Sequence, residues 1–160
     1  MSLVQLRSRG ILDGTISAAD LATGVGGKVL QVITATDTTT RSTTSTSFVT
    51  ASNTLSVTIT PSSTSNKIFV IATCNVGLAT STNTGAITIF RGATDLGSGG
   101  GGMSYWKGVG DDGIPASVSV LDSPSTTSAT TYQIYIKNIS GGTSYLNQGK
   151  SSITAFEIAG

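Results

Sequence analysis

Histidine is missing from this 160-residue chain, and cysteine, tryptophan and glutamate occur once each. Each gap removes a class of chemistry. Without histidine, the usual general base and the commonest metal ligand are both gone. Cys74 stands alone, so no intrachain disulfide can form. It sits in the apolar run Ile68-Phe69-Val70-Ile71-Ala72-Thr73-Cys74 and reads as a small buried hydrophobe. Glu157, in the last strand-like segment, reads as an exposed partner for a lysine. Charge is scarce altogether: 11% of residues are ionised against the usual quarter, and the formal net charge is +1. Such a balance offers no footprint for nucleic acid or an anionic membrane. No apolar run is long enough to cross a bilayer, so membrane insertion is not expected. Met1 to Arg9 lack the apolar core of a signal peptide; the expectation is a protein made and used without secretion.

What the chain has in abundance is threonine, serine and β-branched residues. From Lys28 to Lys67 it runs KVLQVITATDTTTRSTTSTSFVTASNTLSVTITPSSTSNK, which suits a pleated, half-buried sheet better than a solvated helix. Leu55-Ser56-Val57-Thr58-Ile59-Thr60 alternates apolar and hydroxyl side chains at a period of two. Disordered chains are poor in apolar residues, whereas 38% of this chain is hydrophobic and falls in strand-sized blocks. Strands are predicted at 28–35, 47–50, 54–60, 67–76, 86–91, 103–107, 115–121, 130–138, 143–147 and 151–158. Pro61 to Asn66 separates two of them, Arg91 to Asp95 closes a hairpin, and Ser140-Gly141-Gly142 reads as a tight hairpin turn. The glycine run 97–102 is a tether and not a central strand. Short strands without helices between them predict one all-β domain over 28–160, an antiparallel β-sandwich or jelly roll.

Residues 1–27 differ from the rest and read as a short N-terminal arm. A single helical turn is predicted at 17–22, with Ser17 as N-cap, Asp20 reaching back and Gly24 ending it. One turn is marginal alone, so the arm needs a partner surface to be ordered. Within the domain, several strands are apolar on both faces. Phe69 and Ile71 point away from Ile68, Val70 and Ala72; Phe90 points away from Ile87 and Ile89; Tyr135 points away from Tyr132, Ile134 and Ile136. A sandwich buries one face of each sheet. The second face must be covered by a loop, by the arm or by another subunit, and Phe69, Ile71, Phe90 and Tyr135 are therefore candidate subunit-interface residues.

The segments Gly27-Lys28-Val29-Leu30-Gln31-Val32 and Thr60-Pro61-Ser62-Ser63-Thr64-Ser65-Asn66-Lys67-Ile68 lead a series that continues along the chain. Thr131 to Tyr135, Gly141 to Asn147 and Ser151 to Ile158 follow in order, and Asp13 to Leu21 looks like a connector ahead of the domain. Together they resemble the small β-domains in structural proteins of tailed bacteriophages. The resemblance implies a virion surface protein, of the kind that forms trimeric jelly rolls as fibre tips or capsid decoration. It implies assembly in the host cytoplasm, a homotrimer, and a major capsid protein or other virion protein as partner.

Catalysis has little to stand on in the sequence. Asp111-Asp112-Gly113 has the chemistry to begin a calcium loop but falls short of the oxygen ligands calcium needs, so it reads as a solvated turn. The glycine run lacks the lysine of a phosphate-binding loop. No catalytic residue, cofactor or metal ligand is assigned. Two contact regions are. Leu3, Val4, Leu6, Ile11, Leu12, Ile16 and Leu21 in the arm have no place in the sandwich, and Arg7 and Arg9 suit carboxylates on a partner. Met103, Tyr105 and Trp106, flanked by glycines, form either an exposed contact loop for a host glycan or a cap on the open end of the core. The resulting expectation is a capsid decoration (cement) protein, attached as a homotrimer through its arm. The alternative is a tail-fibre or head-fibre tip that binds a host receptor. The short arm, which leaves no room for a fibre shaft, favours decoration.

Overall fold

Alternating apolar and hydroxyl residues fold into two antiparallel sheets packed face to face. The computed structural model describes residues 28–97, 99–108 and 113–160. Its strands are β1 (Val29–Asp37), β2 (Arg41–Thr43), β3 (Val49–Thr50), β4 (Ser56–Ile59), β5 (Lys67–Leu78) and β6 (Thr84–Arg91). They continue with β7 (Thr94–Asp95), β8 (Ser104–Lys107), β9 (Ile114–Asp122), β10 (Thr130–Asn138), β11 (Ser144–Leu146) and β12 (Ser151–Ile158). Among the described residues the only helical feature is a single 3-10 turn at Gly99–Gly101. The predicted strands are all present. The short edge pieces β2 and β7 were not foreseen, because two or three polar residues carry no periodicity.

The pairing resolves these strands into eight rows. Val76 of β5 lies between Ile114 of β9 and Leu146 of β11, so β11 and β12 share one side of β5 and β9 takes the other. β1 and β2 lie beyond β12 and β11, giving sheet one the order β1/β2, β11/β12, β5, β9. Sheet two runs β3/β4, β10, β6, β7/β8. Numbered along the chain, the rows stand 1-8-3-6 and 2-7-4-5, which is jelly-roll connectivity. Ser140-Gly141-Gly142 is a correction to the expected hairpin. It carries the chain from sheet two into sheet one, because β11 pairs with β5 and not with β10. Asn138, wholly buried, shapes that turn by accepting the backbone N–H groups of Ser140 and Gly142 through Oδ1.

The core lies between the sheets. Ile68, Val70, Ala72, Cys74, Val76 and Leu78 of β5 meet Val57, Ile59, Ile87, Ile89, Tyr132, Ile134 and Ile136 of sheet two. Burying each such side chain contributes roughly 1.5–3 kcal/mol. Cys74 is one of these core residues, and burial pushes its thiol up to about 12.

Candidate functional site

The outer face of sheet one can be read from its register. Leu121 of β9 pairs with Phe69 of β5, Phe69 with Phe156 of β12, and Phe156 with Val32 of β1. These four outward-facing residues form a band across all four rows. Leu121 is 52% exposed and Val32 54%, while the two phenylalanine rings lie 6.1 Å apart between them. Farther along the strands the face turns to hydroxyls: Ser119, Ile71, Thr154 and Thr34 form the next row, then Ser117, Thr73, Ser152 and Thr36. Phe69 and Ile71, proposed for an interface from sequence, thus lie half-buried on this outer face. Leu121, Phe156 and Val32 share it but were missed, because only strand pairing brings them together.

Sheet two is different. Phe90 stacks on Tyr135 at 4.0 Å, Phe48 packs edge-on against Phe90 at 6.2 Å, and the Lys137 ammonium sits 4.4 Å above the Phe48 ring. Gly102, at φ +66°, lies against the Ile87 carbonyl and the Phe48 ring, where a side chain would collide. The chain's own loops therefore lie over this face, and Thr88 in its middle is fully buried. Phe69, Ile71, Phe90 and Tyr135 are all half-buried within one chain; Phe48 packs on Phe90, whereas Phe69 is flanked by Phe156 of its own sheet.

Met103, Tyr105 and Trp106 do not form an exposed loop, and this corrects the contact-loop expectation. Ser104 to Lys107 is strand β8, which alternates outward Tyr105 (69% exposed) with inward Trp106 (5%). Trp106 lies over Gly85, where no Cβ intervenes, and its Nε1 donates to the Gly77 carbonyl of sheet one at 3.2 Å. It caps one end of the core and ties the sheets together. Met103 packs against the core, which leaves Tyr105 as the exposed residue of the three.

Glu157 is a second correction: it is fully buried and no lysine meets it in an ion pair. Its position on β12 points inward, and Oε1 accepts from the Ser62 backbone N–H (2.6 Å), the Ser62 hydroxyl (2.8 Å) and Asn66 Nδ2 (2.6 Å). Oε2 accepts from Gln31 Nε2, which also donates to the Thr60 carbonyl. Burial opposes the charge, but the donors of Asn66, Gln31 and Ser62 outweigh it and hold the carboxyl down to about 2. Three of the segments that carry the resemblance, 27–32, 60–68 and 151–158, therefore meet at one carboxylate. Asp37 is likewise held down to about 2, chiefly by the Ser52 hydroxyl and then by the Thr39 N–H. Both groups have folded values below their unfolded ones, so they stabilise the fold fully above about pH 4.5 and lose that effect as pH falls toward 2. Urea midpoints measured against pH should be flat above about pH 5 and fall below it, and Glu157→Gln should remove roughly half of that acid slope.

At this same end of the sandwich, Arg91 Nη1 contacts both Asp122 oxygens at 2.8 and 2.9 Å, and the Tyr132 hydroxyl donates to Oδ2 at 2.6 Å. The trio links β9 of sheet one to β6 and β10 of sheet two. Burial, followed by the bond to Asp122, pushes the Tyr132 hydroxyl above its ordinary value. Asp122→Ala should cost about 3 kcal/mol in urea unfolding, because it strands a buried hydroxyl while Arg91 can still reach water. An open groove of about 390 Å3 adjoins the trio, lined by Arg91, Gly92, Pro124, Thr126, Ala129, Thr130 and Thr131. Its chemistry is hydroxyls beside a guanidinium already engaged with Asp122.

The arm residues Leu3, Val4, Leu6, Arg7, Arg9, Ile11, Leu12, Ile16 and Leu21 lie outside the described residues, as do the turn at 17–22, Asp111 and Asp112. Among the described residues no three His, Cys, Asp or Glu side chains converge to hold a metal ion. Fold and surface together define an all-β jelly-roll sandwich with one face closed by its own loops and, among the described residues, one left open. The chain matches no protein-family model and no curated protein.

Proposed function

We propose that this chain is a non-enzymatic structural protein of a tailed-bacteriophage virion, acting as a capsid decoration protein. In this reading it is assembled in the host cytoplasm, attaches to the major capsid protein as a homotrimer through residues 1–27, and stabilises the shell. The observation that carries the reading is the outer face of sheet one, which among the described residues is uncovered, poor in charge and crossed by an apolar band that ends on β1, the strand following residues 1–27. A surface of that kind suits permanent contact with a neighbouring protein, and it does not depend on salt-screened charge. Many weak attachments on one shell add up through avidity. Burial of Trp106 weighs against the fibre-tip alternative, since it withdraws the stacking platform that a glycan site would have used. Exposed Tyr105 keeps that alternative in view.

Quantitative gel analysis of purified particles tests the choice. Hundreds of copies per particle, with a lower shell melting temperature when the protein is missing, are the expected result. A few dozen copies confined to fibres would support the tip reading instead, and absence from particles would overturn both.

A further inference from the structure

We infer that the outer face of sheet one, centred on the band Leu121–Phe69–Phe156–Val32, is the surface through which copies of this chain associate. The inference rests on the structural-protein reading above and names a partner for the open face. The first support is charge. Among the outward-pointing residues of β1, β5, β9 and β12, Lys67 alone is ionised at neutral pH, and it sits at the end of β5, one step along the strand from the band. A partner that recognises the face by ion pairing would have almost nothing to grip, whereas a second copy brings no repelling charge. The Ser and Thr rows beside the band supply both donors and acceptors, so they can pair with the hydroxyl-rich surface of a second copy without ionised groups.

The second support is area. Four rows about 4.8 Å apart and eight residues about 3.3 Å apart give a flat footprint of roughly 500 Å2 before side-chain relief is counted. That is short of the ~800 Å2 per partner of a stable complex, to which side-chain relief and the adjoining edge of β1 would add, and the apolar band fills only part of it. The third support is the edge of the sheet. β1 is nine residues long, and Val29, Leu30 and Val32 on it are 52%, 48% and 54% exposed. Its first charged residue is Asp37 at the far end, and Asp37 points inward. Edge strands are normally guarded by charge or proline, as Pro115 guards β9 on the opposite edge. From Val29 to Thr36 β1 carries neither, although Lys28 precedes it and Arg41 follows on β2 in the same row, and its exposed apolar side chains continue the band. The other sheet has no comparable opening, because Phe48 and the loop through Gly102 already lie on it.

Light scattering on the purified full-length chain tests this without any particle present, so its outcome is separate from the test of particle attachment. At tens of micromolar the wild type should elute at a multiple of its 16.1 kDa mass. Leu121→Lys and Val32→Lys alter side chains that are half exposed, so folding is retained, as circular dichroism will verify. Each should weaken self-association at least tenfold, and the double variant should be monomeric. Tyr105→Lys, an equally exposed site on sheet two, should leave the oligomer intact. A monomeric wild type overturns the inference, as does an oligomer indifferent to both lysines. A monomer whose Leu121→Cys variant resists thiol reagents would place another segment of the same chain over the face, and would overturn it too.

Discussion

Replacing Glu157 with alanine should destabilise the domain by roughly 3–5 kcal/mol, a large part of the 5–15 kcal/mol that holds a typical domain together. The carboxylate accepts four hydrogen bonds, from Ser62 twice, Asn66 and Gln31. Removing it leaves the buried Asn66 amide and the half-buried Gln31 amide facing an apolar methyl, while exposed Ser62 can turn to water. Each unpaired buried donor costs about 1–3 kcal/mol, and entry of water offsets part of the sum. The damage should be topological as well as local. Ser62 and Asn66 belong to the connection that carries the chain from β4 in sheet two to β5 in sheet one, and Gln31 belongs to the edge strand β1. Glu157→Gln keeps the shape and one acceptor but turns an amide N–H toward a donor, so about 1–2 kcal/mol is expected. Urea unfolding followed by circular dichroism measures both. An alanine variant within 1 kcal/mol of wild type would mean that the carboxylate is solvated and the network is not formed.

Trp106→Ala should cost about 3–5 kcal/mol, as large aromatic truncations in a packed core do. The cavity cannot close from below, because the residue beneath the ring is Gly85, with no side chain to move in. The Gly77 carbonyl also loses its Nε1 donor. Tyr105→Ala, one residue away but outward, should change stability by less than about 0.5 kcal/mol. Because Trp106 is the only tryptophan, intrinsic fluorescence reports on it directly. Native emission should be blue-shifted and protected from iodide, then shift red on unfolding. Red, quenchable emission from the native protein would contradict its place in the core.

These two residues also mark where the sequence could be read and where it could not. The period-two alternation of 54–60, 67–76 and 130–138 assigns inward and outward faces, and every such assignment for Ile68 to Val76 and Tyr132 to Ile136 matches the burial. In Met103 to Lys107 the same parity leaves Trp106 free to point either way, since nothing local says which side of a short edge strand is the core. Pairing with β6 decides it: Trp106 stands opposite Gly85, next to inward Ile87. Glu157 was misread for a related reason. A lone carboxylate in a strand is ordinarily at the surface, and its partners lie 91 to 126 residues away in sequence.

Composition and alternation alone determined that this chain is an all-β sandwich of short strands, poor in charge, with residues of both faces apolar. Those properties are local, because a strand's two-residue period and its tolerance for Thr and Val need no knowledge of neighbours. Tertiary structure alone decided which apolar residues meet. It aligned Leu121, Phe69, Phe156 and Val32 into a band, folded Phe48 over Phe90 and Tyr135, and gathered Gln31, Ser62 and Asn66 around Glu157. Register between strands distant in sequence is set by the packing of the whole sandwich, so the open face belongs to the fold and not to any one segment.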